Sequence, residues 1–148
     1  MEKTKGMLLL LITAFFMNVH AVRANENVSE TITSKNYDWS SVMDAIIEVE
    51  SNGNPKAKHG NSVGVMQITP LCVADCNAIL KSRKSKKRFK LSDRFNVAKS
   101  KEMFILIQSK YNPMNNVEQA IRAWNGGIHY SVQKTQRYFE RVMKALKK

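Results

Sequence analysis

Between residues 38 and 146, apolar positions return every three or four residues in five separate stretches, and no useful run alternates apolar with polar. The pattern predicts an all-α domain with at most a short β-hairpin. Asp38 is placed to cap a first helix in which Trp39, Val42, Met43, Ile46, Ile47 and Glu50 share one side, so Glu50 points toward the core. Gly53 and Pro55 then break the period, and His59-Gly60-Asn61-Ser62 supplies turn chemistry before an extended Val63 to Ile68 segment, where the hairpin is expected. Thr69 and Pro70 read as the N-cap and first residue of a second helix ending near Leu80. A third runs from Val97 to Tyr111, with Val97, Phe104, Ile107 and Tyr111 inward, and stops at Asn112-Pro113. Asn116 and Gln119 predict a capping box for a fourth helix, which buries Val117, Ala120, Ile121 and Trp124 and ends at Gly126-Gly127 in the left-handed conformation. A fifth, Ser131 to Leu146, aligns Thr135, Tyr138, Val142 and Ala145.

The first residues fit none of this. Lys3 and Lys5 precede a mostly apolar run, Met7 to Met17, and small residues follow; Val19-His20-Ala21 and Val22-Arg23-Ala24 both fit a cleavage site. The run is shorter than the roughly 20 residues that span a bilayer, so residues 1–24 read as a removable secretory signal without a transmembrane anchor. Residues 25–37 are a polar lead-in, and 38–148 form one domain, large enough for a hydrophobic core without disulfides or metals. The formal charge is +12, and losing Lys3, Lys5, Arg23 and Glu2 with the signal leaves it strongly basic. Such a balance favours polyanions. Export argues against nucleic acid as the partner, and no nucleic-acid motif is present. Cys72 and Cys76, four apart on an apolar helix face, read as buried thiols; an intrahelical disulfide would be strained, and no paired ligands complete a zinc site.

The chemistry concentrates at Glu50. A glycosidic bond breaks when its leaving oxygen is protonated as the sugar gains oxocarbenium character, and the donor must still hold its proton near neutral pH. Enclosure by an apolar helix face raises a glutamate's pKa toward that range. Glu48 lies well around the helix from Glu50. No second acid sits in the segments that follow, Gly64-Val65-Met66-Gln67 and Ala123-Trp124-Asn125-Gly126-Gly127. Asp75 and Asp93 lie elsewhere in the chain and stay open as second acids, but neither belongs to a recognisable motif, and without them one acid must act twice.

These segments, with Glu50-Ser51 and Tyr138-Phe139-Glu140-Arg141-Val142, resemble the lysozyme-like domain of the soluble lytic transglycosylases, over roughly Asp38 to Leu146. The resemblance implies a lysozyme-like helical fold, akin to the goose-type lysozymes, that cleaves peptidoglycan without a cofactor or metal. It implies that Glu50 protonates the bond between N-acetylmuramic acid and N-acetylglucosamine, then draws a proton from the muramoyl 6-hydroxyl, which closes a 1,6-anhydro ring. By the same resemblance Ser51 supports the site. Gly64 lets sugar and backbone approach, Met66 gives an apolar wall, Gln67 and Asn125 hold sugar groups, and the Tyr138 hydroxyl approaches Glu50.

The sequence departs from the family pattern at Gly53, Val63 and Trp124, where an apolar or aromatic residue, a small residue and a tyrosine are common. His59 and His129 fall in loops and read as solvated. Seven of the ten residues from Lys81 to Lys90 are basic, which predicts an exposed loop that either holds the protein on anionic envelope polymers or is merely solvated. The resemblance further implies a periplasmic monomer acting on glycan strands, with envelope-spanning conjugation or secretion machinery as partner. Two alternatives stay open: hydrolysis by the same site, as in a muramidase, and a wall-binding adaptor without turnover.

Overall fold

The computed structural model describes residues 37–148; the expected signal and nearly all of the lead-in lie outside the described residues. The chain forms α1 (Ser40–Ser51), a hairpin of β1 (Lys58–His59) and β2 (Ser62–Val63), α2 (Pro70–Ser82), a 3-10 turn (Leu91–Phe95), α3 (Val97–Tyr111), α4 (Val117–Gly126) and α5 (Val132–Leu146). The expected all-α class is what forms, with the hairpin as its only sheet among the described residues. That hairpin is antiparallel, pairing Lys58 with Val63 and His59 with Ser62, and Val63 also bridges to Ile68. α1 packs chiefly on α5, α5 on α4, and α2 on α3.

Helix ends follow the local chemistry. Thr69 accepts from the Cys72 amide at 3.1 Å with Pro70 at the first helical position, an N-cap that stabilises by about 1 kcal/mol. Asn116 accepts from the Gln119 amide at 2.8 Å, but the expected capping box is half formed, because the Gln119 side chain donates instead to the Tyr111 carbonyl at 2.9 Å. Asp38 accepts from the Ser40 amide at 2.9 Å rather than from deeper in the first turn, so Trp39 occupies the cap position. α4 extends through Gly126, and Gly127 ends it with φ 76° and ψ 175°, a positive-φ extended conformation rather than the left-handed helical one.

The core joins Ile46, Met66, Ile68, Met103, Phe104, Ile121 and Val142, all essentially inaccessible. An aromatic series crosses it: Trp39 meets Phe104 edge-on at 5.7 Å between centroids, and Phe104 meets Trp124 at 5.1 Å. Val97, expected inward, is exposed, because it opens α3 one turn before the first buried residue, Ser100. Arg122 is buried yet satisfied by Glu118 at 2.7 Å, the Val132 carbonyl, Thr135 and Gln136, with its guanidinium 4.2 Å from the Phe139 ring centre. This set locks α4 to α5.

The basic segment is exposed but not loose. Asn77 clamps Phe89 from both sides, its amide donating to the Phe89 carbonyl at 2.9 Å and its oxygen accepting the Phe89 N–H at 2.8 Å, and the Phe89 ring is buried. Lys87 pairs with Glu102 at 2.7 Å. Cys76 is buried and Cys72 half-buried, both unbridged.

Candidate active site

α1 ends in a left-handed residue, Asn52 at φ 52°, directly after Glu50 and Ser51. The last turn of α1 therefore meets the hairpin on one side and α5 on the other. Glu50 sits at this junction, half-buried, and its Oε1 accepts the Tyr138 hydroxyl at 2.7 Å. Burial pushes the Glu50 carboxyl above the ordinary glutamate range, while the Tyr138 hydrogen bond and the charges of Arg141 and His59 pull it partly back. Burial and the neighbouring carboxylate push the Tyr138 phenol strongly upward, so Tyr138 keeps its proton and acts as donor. Arg141, one turn beyond Tyr138 on α5, donates to the Val49 carbonyl at 3.1 Å.

Ser51 lines the same cleft, and its hydroxyl lies 2.8 Å from the Val65 carbonyl and 3.2 Å from that of Ile47. It ties α1 to the segment after the hairpin, and its proton goes to backbone rather than to Glu50. That segment makes a tight turn. Gly64 has φ 77°, and a Cβ there would sit 1.9 Å from the Arg94 carbonyl oxygen, so its missing side chain makes room for protein backbone rather than for a sugar. Met66 is fully buried, which corrects the expectation of an apolar wall: its side chain belongs to the core, and its carbonyl accepts the Trp124 indole N–H at 3.1 Å.

Gln67 is held at both ends in a positive-φ conformation, φ 51°. Its Nε2 donates to the Gly64 carbonyl at 2.9 Å, which leaves Oε1 to accept from His59 Nδ1 at 2.8 Å. His59 therefore donates through Nδ1. The ring is exposed as expected, but it is bonded rather than merely solvated.

Two clefts meet at this pair. One, of about 610 Å³, is lined by Glu50, Ser51, Asn54, Lys56, Lys58, His59 and Arg141. The other, of about 520 Å³, is lined by Gln67, Cys72, Asp75, Tyr111, Trp124, Asn125 and His129. Asn125 is exposed at the end of α4 and lines the second cleft, whereas Glu50 lines the first. In the second cleft Tyr111 donates to Asp75 at 2.9 Å.

Sequence reading missed His59 and Arg141. Arg141 stands three residues after Tyr138, a spacing that places both on one face of α5, so it was open to discovery. Nothing local marks His59, whose partner lies eight residues away across the hairpin. Among the described residues no cluster of side chains is arranged to hold a metal ion, and no helix is long and apolar enough to cross a membrane.

The family model for the transglycosylase SLT domain matches residues 27–146. No curated protein and no solved structure shows significant similarity to the chain. With five α-helices and a single two-stranded hairpin among the described residues and a family match over most of its length, the chain adopts the lysozyme-like helical fold and belongs to the transglycosylase SLT domain family, whose activity is lytic transglycosylation of peptidoglycan.

Proposed function

We propose that the protein is a lytic transglycosylase in which Glu50 is the single general acid and base. The observation that carries this reading is the Glu50–Tyr138 pair: a carboxyl whose pKa burial raises, open to a cleft, with a donor already placed for its ionised form. Among the described residues Glu48 is the only other carboxylate lining that cleft, and it is exposed and ion-paired with Lys148. Glu48, held by Lys148, is not free to serve as the second carboxylate of an inverting or retaining hydrolase.

Glu50 gives its proton to the glycosidic oxygen as the bond from the muramoyl anomeric carbon breaks, with the N-acetyl group assisting. The Tyr138 hydroxyl then stabilises the new carboxylate. That carboxylate takes the proton of the muramoyl 6-hydroxyl, whose oxygen bonds to the anomeric carbon as the 1,6-anhydro ring. One proton is given and one regained, and no water is consumed. Ser51 and Gln67 fix the turn around Glu50 by bonds to backbone carbonyls, and Asn125 contacts the glycan from the second cleft.

The N-terminal segment supports export to the periplasm, and the basic loop supports anchoring on anionic envelope polymers. A monomer attached to envelope-spanning conjugation or secretion machinery is the setting we favour. Mass spectrometry of fragments released from purified peptidoglycan tests the central reading. Anhydromuramoyl ends from the wild type and none from Glu50→Gln are expected. Reducing ends would make the protein a muramidase, and no release at several salt concentrations would make it a binding module.

A further inference from the structure

Among the described residues Asp75 is the only Asp, Glu, Lys or Arg that lines the second cleft, in a chain whose formal charge is +12. It comes from α2 and is half-buried, and among the described residues no cation pairs with it. Tyr111, at the end of α3, donates its hydroxyl to Asp75 Oδ1 at 2.9 Å, and the Gln119 amide holds Tyr111 in turn by its carbonyl. That bond fixes the carboxylate and leaves Oδ2 without a protein donor among the described residues. A half-buried carboxylate lacking a counter-ion is stabilised by further N–H or O–H donors, and it repels an anion brought into the same cleft.

We propose that Asp75 is a specificity-determining residue that admits the uncharged sugar of the glycan, N-acetylglucosamine, to the second cleft and keeps the acid-bearing muramoyl sugar out of it. The two sugars alternate along a strand, and a muramoyl unit is acidic whether its lactyl group is free or linked to an acidic peptide. N-acetylglucosamine presents only hydroxyl and N-acetyl groups, whose O–H and N–H are donors that Oδ2 can accept. An ionised lactyl group offers no donor and meets a like charge. Because the two clefts meet at the His59–Gln67 pair, fixing which sugar lies in the second fixes which lies at Glu50, and so which of the two alternating bonds is broken. Asp75 thereby sets the register of the strand without lining the cleft that holds Glu50. The inference rests on the proposed function for its substrate, and it deepens that reading from the bond cleaved to the residue that selects it.

Sugar binding read at the Trp124 indole N–H tests this, because Trp124 lines the second cleft while the other tryptophan, Trp39, is buried in the core and serves as internal reference. The Glu50→Gln protein is titrated at low salt with N-acetylglucosamine, N-acetylmuramic acid and the methyl ester of N-acetylmuramic acid, and nuclear magnetic resonance follows both indoles. N-acetylglucosamine should bind about two- to fivefold more tightly than N-acetylmuramic acid, the size set by one partly screened pair of charges. Esterification, which removes the charge and keeps the lactyl group, should recover most of the loss. Asp75→Asn, which keeps an oxygen for Tyr111, should bring the free acid level with its ester. Equal affinity for N-acetylglucosamine and N-acetylmuramic acid, an ester no better than the acid, a preference unchanged in Asp75→Asn, or no movement of the Trp124 indole with any of the three overturns the assignment. With Glu50 intact, Asp75→Asn should still release fragments; a loss as complete as in Glu50→Gln would make Asp75 a second acid instead. Absence of fragment release by the wild type would sink the proposed function, whereas the sugar titration reads the selectivity of the second cleft by itself.

Discussion

The Tyr138 hydroxyl reaches Glu50 Oε1 at 2.7 Å across 88 residues of sequence, joining the end of α1 to the middle of α5. The bond opposes the effect of burial, which raises the Glu50 pKa while Tyr138 lowers it. A group that must first donate and then accept a proton is served by that opposition, since neither form is stabilised without limit.

Tyr138→Phe should separate the two effects. Losing the donor raises the Glu50 pKa further, so the fall in activity on the alkaline side moves to higher pH. The carboxylate formed after proton transfer loses its hydrogen bond, and kcat should drop by about ten- to a hundredfold. A pH–rate profile on soluble glycan checks both; an unshifted alkaline limb would remove Tyr138 from the acid's environment.

Glu50→Gln should cost turnover and gain stability. The folded pKa of Glu50 is raised, so below the unfolded value of 4.5 both states are protonated and the site carries no penalty. As pH rises through that value toward the folded pKa, the unfolded chain ionises first and stability is lost. Glu50→Gln keeps the acceptor for Tyr138 and cannot ionise, so its melting temperature should exceed that of wild type at pH 7, with the gain vanishing near pH 4. A gain independent of pH would assign the effect to packing.

How much of this was legible depended on range. Thr69-Pro70 and Asn116 mark helix starts because a cap works within three residues, and the inward faces of α1, α4 and α5 follow from period alone. Glu50 stood out because it closes such a face. Met66 and Gly64 were placed by motif in the sugar cleft, yet the one fills the core and accepts from Trp124, 58 residues on, and the other meets the Arg94 carbonyl, 30 residues on. The Asn77 clamp on Phe89 is equally silent in sequence, since seven cations among ten residues hide the single aromatic anchor. The His59–Gln67 bond needs the hairpin formed first.

Gly64→Ala should be severe. The new Cβ would have to displace the Arg94 carbonyl oxygen from 1.9 Å, at a backbone φ of 77° that alanine disfavours. Strain and overpacking together should cost about 2–5 kcal/mol, lowering the melting temperature by on the order of 10 °C or more. Gly53→Ala is the control, because Gly53 has a similar φ of 78° but nothing within 4 Å. Its cost should stay near 1 kcal/mol. Equal melting temperatures for the two variants would mean that the Arg94 segment gives way freely.

The anchored basic loop makes its own prediction. Asn77 pins the backbone of the loop at Phe89, and a backbone ordered in advance loses less freedom on binding a polyanion than a loose one does. Substituting Lys84, Lys86 and Arg88 by Gln leaves the Lys87–Glu102 pair intact. The variant should sediment less with insoluble peptidoglycan at low salt, and the difference should fade as salt approaches about 1 M, where screening acts within roughly 3 Å. Cleavage of short soluble glycans should stay close to wild type, because none of the three residues lines the cleft that holds Glu50. Asn77→Ala, which frees the Phe89 backbone without removing a charge, should weaken wall binding part of the way. Full retention by Asn77→Ala beside clear loss in the charge variant would show that charge density, rather than the fixed geometry, does the holding; unchanged sedimentation in both would leave the loop without a docking role.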